Sequence, residues 1–320
     1  MLYLGVELDT RLLFTKHIQQ ASSKASKSAL AIARLIPNVG GPSQCKRALL
    51  ATVANSKMLY AASTWATQGT KTAKNRNEMA RAQRTVAIRI IRAYCTVSTD
   101  GSSLLASMVP ADLVANERTR IRQRLDDQEE TTPKSGIKKQ ERAISITAWQ
   151  ARWDRSPNAR WTHRLLPDVG RWLSKPPLSL TYHLTQALSG HGCFRRYLHD
   201  RDGADDSYCC YCMNPDDTVE HTLFVCPRWE DERAQMTRIL RRPPDPGDVE
   251  DILCGPRPEE MPECAVSRAR LEIQSATNRK VLVAMMETIM TTKSDDERQE
   301  QAEDRDRAAA NRRRALQAPA

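Results

Sequence analysis

The sequence predicts a mainly α-helical protein, on three observations. Strand-period alternation is confined to residues 2–8; apolar residues recur at helical spacing, with capping residues and breakers between, over 15–123; and cysteines crowd with a histidine into 209–226. The predicted architecture is a basic helical bundle preceded by an orphan strand, then a small helical domain around a cysteine–histidine knuckle, then a partly disordered tail. At 320 residues and 40% hydrophobic, the chain can bury a sizeable core and has the length of about two domains. No run approaches ~18 uninterrupted apolar residues, and Met1 opens an alternating segment rather than a basic stretch and an apolar block. Neither a membrane span nor a secretory signal is expected, so the protein reads as intracellular. In a reducing compartment nine cysteines, an odd number, point to metal ligands or catalytic thiols rather than disulfides.

In LYLGVEL, residues 2–8, the large apolar groups Leu2, Leu4, Val6 and Leu8 alternate with other residues, as in a half-buried strand. Such a strand needs a partner, either far along the chain or upstream of a fragment's beginning. Thr15 is positioned to cap a helix to about Ile36, stopped by the Pro37–Pro42 breaker, and Ser43 to cap a second helix to about Trp65. On the second helix Leu50, Val53, Ala54, Ala61 and Trp65 share one face. A third helix, about 75–94, carries Met79, Ala82, Val86, Ile90 and Ala93 as one narrow stripe, with Arg81, Arg84 and Arg92 opposite and Ile88 spoiling the pattern. Residues 98–123 read as helical again, and 124–142, polar with Pro133 and Gly136, as a linker.

Beyond it Trp149, Trp153, Trp161 and Trp172 suit a core more than base stacking, since there are only three phenylalanines to anchor one. A proline-rich linker over 236–264, a helix over 265–292 and a charged tail, a solvated helix or disordered, complete the chain. The predicted parts are thus 1–14, 15–123, 124–142, 143–235, 236–264 and 265–320.

Charge is unevenly placed. Between Arg11 and Ser98 fifteen Lys and Arg face one acid, Glu78, a net of +14 where the whole chain carries +10, so the remainder is net −4. A polyanion, nucleic acid before membrane, is the natural partner for that field, and a merely solvated face is the alternative. Candidate contacts are Lys16, Lys24, Lys27, Lys46, Arg47, Arg81, Arg84 and Arg92.

The spacing Cys209-x2-Cys212-x8-His221-x4-Cys226 supplies three soft thiolates and an imidazole, the donor set of tetrahedral zinc. Four protein ligands leave no position for a reactive water, so the expected role is structural. Met213-Asn214-Pro215-Asp216-Asp217 is turn chemistry between the two ligand pairs. Cys210 competes with Cys209 for the first position, and His191 and Cys193 are further candidates. Asp205-Asp206 superficially matches the aspartate pair that holds two metals in polymerases, but no apolar strands flank it, and it reads as a solvated loop. No catalytic residue is assigned.

Several short motifs in succession resemble the C-terminal part of non-LTR, LINE-like retrotransposon reverse transcriptases of arthropod type, over about residues 2–235. They are Tyr3-Leu4-Gly5-Val6 with Leu8-Asp9 and Thr15-Lys16-His17-Ile18; Leu59-Tyr60-Ala61 to Trp65; Ala93-Tyr94-Cys95-Thr96-Val97-Ser98; Trp149 to Trp172; Thr185 to Phe194; and the knuckle ending Cys226-Pro227-Arg228-Trp229. The resemblance implies that the first strand closes a polymerase palm, that the basic helices form the thumb on a primer–template duplex, and that the zinc knuckle engages template RNA or target DNA. It also implies fingers, an aspartate-bearing palm with Mg²⁺ and an endonuclease, none of which lies in these residues, so the expectation for this segment alone is nucleic-acid binding without polymerase activity, in an intracellular ribonucleoprotein, nuclear or cytoplasmic. The other reading is a self-standing, zinc-stabilised helical interaction protein derived from such an element.

Overall fold

The computed structural model describes residues 1–34, 37 and 41–317, with side chains missing from the description at Leu50 and at several positions after 303. The expected end of the first helix at Ile36, most of its breaker, the Leu50 side chain and those of residues 311–314 lie outside the described residues. The chain is mainly α-helical and divides into two compact units, residues 1–189 with 249–255, and residues 190–248 with 256–320. Among the described residues no helix is long and apolar enough to cross a membrane.

The first unit opens with a hairpin, not a lone strand. Strands β1 (Leu2–Tyr3) and β2 (Val6–Glu7) pair antiparallel, Leu2 opposite Glu7 and Tyr3 opposite Val6. Leu4 and Gly5, at φ 45° and 82°, make the tight turn, a conformation glycine adopts at little cost. The alternation of 2–8 therefore folds on itself, and of its apolar residues Val6 alone is buried; Leu2 and Leu4 face solvent.

Helices α1 (Thr15–Ala33), α2 (Gln44–Met58), α3 (Ala62–Gly69), α4 (Ala73–Ile91), α5 (Thr99–Leu105), α6 (Ala111–Asp126) and α7 (Lys134–Arg155) follow. Thr15 is the first helical residue rather than the cap, which is Phe14 in a left-handed conformation; Ser43 holds the cap position of α2 without a side-chain bond. Thr72 and Ser98 do cap, accepting from the backbone N–H of Asn75 and Gly101. The second predicted helix is broken. Ala61 turns the chain at φ 49°, Arg118 Nη1 donates to the Leu59 carbonyl at 2.8 Å, and Trp65, now in α3, is buried with its indole N–H on the Tyr60 carbonyl at 2.8 Å. Val53, expected on the apolar face, is 44% exposed.

Helix α4 packs against α1, α2, α5 and α6. Its expected stripe is buried, and so are Gln83, Ala87, Ile88 and Ile91, so Ile88 belongs to a broad buried surface rather than interrupting a polar one. The linker expected at 124–142 is instead the end of α6, a short loop and the first turns of α7, which packs on α6. Arg120 Nε donates to Glu141 at 2.5 Å, and Arg124 bridges Glu130 and Glu141, so polar composition here marks ion pairing between two helices, not a boundary.

Short helices α8 (Arg160–Leu165), α9 (Val169–Ser174) and α10 (Tyr182–Ser189) complete the run; Trp149, Trp153 and Trp172 are buried and Trp161 is half-buried with its indole N–H on Ala187. Within the second unit lie α11 (Arg195–His199) and α12 (Glu230–Leu240). Of the linker expected at 236–264, α13 (Asp248–Cys254) packs into the first unit from Val249 onward, where Arg171 Nη1 meets the Glu250 carboxylate at 2.7 Å and Val249 and Leu253 are buried. Helix α14 (Ala265–Gln317) continues through the charged tail, the solvated-helix alternative.

Candidate metal centre and basic surface

In the second unit the four expected ligands converge. Cys209, Cys212, His221 and Cys226 present ligand atoms all within 4.8 Å of one another. Cys226 Sγ lies 3.8 Å from both Cys209 Sγ and Cys212 Sγ, and His221 Nε2 lies 3.3 Å from Cys212 Sγ. Zinc–sulfur bonds of about 2.3 Å in a tetrahedron require sulfurs about 3.8 Å apart, so the set has the dimensions of that ion. Cys209 is buried and belongs to the converging set, whereas Cys210 is exposed and outside it; His191 packs on the Tyr197 ring and Cys193 is buried outside the set.

Local chemistry makes both halves. The turn read in Met213–Asp217 is present: Met213 sits at φ 58°, its N–H on the Cys209 carbonyl, and the Cys209 N–H returns to the Asn214 carbonyl. The second half is a π-helical turn, His221–Val225, closed by the Cys226 N–H on the His221 carbonyl at 2.7 Å. In an α-helix residues five apart point about 140° away from one another, whereas the wider turn brings them to one side. The His221-x4-Cys226 spacing thus needs the π geometry to bring both ligands to one side.

Burial pushes the Cys209 thiol up and that of Cys226 up to about 12, while backbone N–H groups of Tyr211 and Cys212 toward Cys209, and of Arg228 toward Cys226, oppose the shift. Burial also holds His221 below its ordinary value, keeping the imidazole neutral and its lone pair available. Two buried sulfurs met by N–H donors and a half-buried third, with an imidazole nitrogen, fit a thiophilic dication, and zinc suits the donor set.

Around the ligands lie groups that the sequence reading did not single out. Asp217, fully buried, accepts from Lys293 Nζ of α14 at 2.7 Å, Thr222 Oγ1 at 2.9 Å and the Arg195 N–H at 2.9 Å. Arg233, on α12 and buried, donates through Nη2 to the Cys226 carbonyl at 2.6 Å. Asp217 sits inside the turn motif, but Lys293 is 76 residues away and has no local signal. Asp205 and Asp206 are exposed, and Asp206 accepts from the Tyr208 N–H.

The basic candidates separate by environment. Lys24, Lys27 and Lys46 are exposed, as is Arg81, whose side chain meets Glu78 at 3.5 Å; Lys16 is exposed and pairs with Glu7. Arg47 is buried, donating to the carbonyls of Pro42 at 2.9 Å, Pro37 at 2.5 Å and Arg89 at 3.0 Å. Arg84 donates to the Val97 and Cys95 carbonyls, and Arg92, left-handed at φ 60° beyond α4, reaches the Pro42 carbonyl at 3.3 Å. The expected outward trio of Arg81, Arg84 and Arg92 is therefore not one free face. With α4 buried over much of its girth, two of the three guanidiniums hold loop carbonyls.

No protein-family model matches the sequence, and no solved structure is significantly similar to it. Curated sequences are. A retrovirus-related Pol polyprotein from type-1 retrotransposable element R1 2 of Nasonia vitripennis is 29% identical over 250 residues, 72% of this chain and 59% of that protein. The Pol polyprotein of element R1 from Bradysia coprophila is 31% identical over 165 residues, 48% of this chain and 16% of its own length. A 115 kDa protein of element R1DM from Drosophila melanogaster is 26% identical over 246 residues, 72% of this chain and 24% of that protein. The chain thus spans less than two thirds of each of these relatives. Over about 70% of its length, it is similar to the Pol polyproteins of R1-type non-LTR retrotransposons.

Proposed function

We propose that this chain is a nucleic-acid-binding segment of a retrotransposon reverse transcriptase. The first unit acts as a thumb-like helical body on a primer–template duplex, and the second carries a structural zinc knuckle that engages template RNA or target DNA, within a ribonucleoprotein. The observation that carries the reading is the convergence of Cys209, Cys212, His221 and Cys226 at tetrahedral dimensions in a chain similar to R1 Pol polyproteins. Cys209, Cys212, His221 and Cys226 would hold the ion, which on binding supplies a rigid cross-link between the turn and the π-helical segment. Exposed Lys24, Lys27, Lys46 and Arg81 supply phosphate contacts. Polymerase chemistry, with Mg²⁺, is assigned to palm and finger regions of a longer protein.

The test is metal content of the purified chain and of Cys212→Ser and His221→Ala. One zinc per chain is expected, lost in either variant, with the knuckle unfolding on chelation. A content near zero in the unmutated chain, or no loss in both variants, refutes the metal assignment.

A further inference from the structure

The charges around the metal centre leave one cation unaccounted for. Asp217 and Lys293, both buried, form a hydrogen-bonded ion pair and cancel each other. Arg233 is 7% exposed; its Nη2 is satisfied by the Cys226 carbonyl, and its Nη1 is buried without a hydrogen-bond partner. Among the described residues no acid forms an ion pair with Arg233. Glu230 is exposed, and Glu232 is half-buried with Arg228 at 3.9 Å. An isolated buried guanidinium is costly unless something answers its charge. With the four sulfur and nitrogen ligands on a dication, three thiolates leave the centre with one net negative charge, and that charge matches the one Arg233 brings.

We propose that Arg233 is the buried counter-charge of the Cys209, Cys212, His221 and Cys226 centre, a positioning residue that makes the three-thiolate complex electrically neutral within the fold. The proposal rests on the metal reading above. It specifies the complex the site prefers: a divalent ion on three thiolates and one neutral imidazole, with the guanidinium anchored on the Cys226 carbonyl. Neutralisation also draws electron density from the sulfurs, so the bound thiolates are held unreactive toward electrophiles. Without the metal complex the same arginine is a buried cation with no ion-pair partner, so its contribution to stability changes sign with metal.

The experiment uses the full chain and Co²⁺ as the probe, followed by its thiolate charge-transfer absorption, with zinc affinity from competition against a chromophoric chelator. Arg233→Met fills similar volume without charge, and Arg233→Lys keeps the charge without the fork. Arg233→Met should weaken metal binding about tenfold to a hundredfold, the range for groups supporting metal ligands. Its metal-free form should melt no lower than the unmutated metal-free chain, because removing an unpaired buried charge is neutral or stabilising. Arg233→Lys should retain most of the affinity. Iodoacetamide should alkylate the metal-bound Arg233→Met chain faster than the unmutated one. Stoichiometric Co²⁺ binding with equal affinity in the unmutated chain and Arg233→Met overturns the counter-charge while leaving the metal reading intact. Equal losses in Arg233→Met and Arg233→Lys would mean shape, not charge, and also overturn it. An unmutated chain that takes up no Co²⁺ overturns both.

Discussion

His17 shows how a single buried side chain ties the first unit to pH. It is 5% exposed, packs edge-on against Trp65, accepts the Glu7 N–H on Nδ1 at 3.4 Å, and buries Nε2 without a partner. Burial, helped by the Lys24 charge and opposed by that of Glu7, holds its pKa below the usual value. A histidine depressed in the folded state contributes stability above its unfolded pKa and loses it as pH falls through the folded one. The first unit should therefore weaken from about pH 6.5 downward, and His17→Phe should flatten that dependence. Urea titrations of both proteins across that range check it; parallel curves would refute the role. Arg47 supplies a second residue-level test. Its three carbonyl contacts bind the loop after α1 to α2 and α4, so Arg47→Gln should cost about 2 kcal/mol of stability and leave the salt dependence of nucleic-acid binding unchanged.

Between elements, a buried ion pair in the second unit joins the knuckle to α14. Lys293 and Asp217 are 4% and 0% exposed in their side chains, and Tyr211 from the knuckle donates to Asp296 of the same helix at 2.5 Å. Desolvation is the largest single effect and lowers the Lys293 pKa, but the charge and hydrogen bond of Asp217, with the charges of Cys193 and Cys210, together raise it on balance, so the ammonium stays charged inside the pair. Removing one partner of such a pair leaves the other charge stranded, at a cost of about 3–5 kcal/mol. Lys293→Met should therefore destabilise the second unit strongly, and Lys293→Met combined with Asp217→Asn should recover part of the loss, since no stranded charge remains. Chemical denaturation followed by Trp229 fluorescence measures both; a double variant no better than the single one would assign the loss to packing.

For the whole molecule the nucleic-acid reading makes a quantitative demand. Each phosphate contact releases condensed counterion, so log affinity for duplex DNA should fall with log salt at about −0.9 per contact. Changing Lys24, Lys27, Lys46 and Arg81 together to glutamine should flatten that slope by about 2–4 units, with native circular dichroism. The corresponding change of Arg84 and Arg92 should instead lower stability, because those side chains hold the Cys95, Val97 and Pro42 carbonyls. Fluorescence anisotropy over a salt series distinguishes the two; an unchanged slope in the quadruple variant makes its lysines and arginine a solvated face. Primer extension on an RNA template should yield no product from this chain alone, and extension abolished by changing Asp205 and Asp206 would reverse that expectation.

What was legible in the amino-acid order was local. Helical periodicity around Met79, Val86 and Ile90 and the spacing that brings Cys209, Cys212, His221 and Cys226 together follow from neighbours a few positions apart, whereas the caps expected at Thr15 and Ser43 do not form and those at Thr72 and Ser98 were not expected. The alternation at 2–8 was local too, yet Gly5 allowed the segment to pair with itself, a choice that period alone does not make. Side chains with long reach were decided elsewhere. Whether an arginine is offered to solvent, like Arg81, or spent on a distant carbonyl, like Arg47 or Arg84, depends on which loop the fold brings within its length. Asp217 acquires Lys293, and Cys226 acquires Arg233, only when helices separate in sequence close around the knuckle. Ligand spacing is a property of the chain, whereas the field at the ligands is a sum over charges in space, and only the packed structure sets those distances.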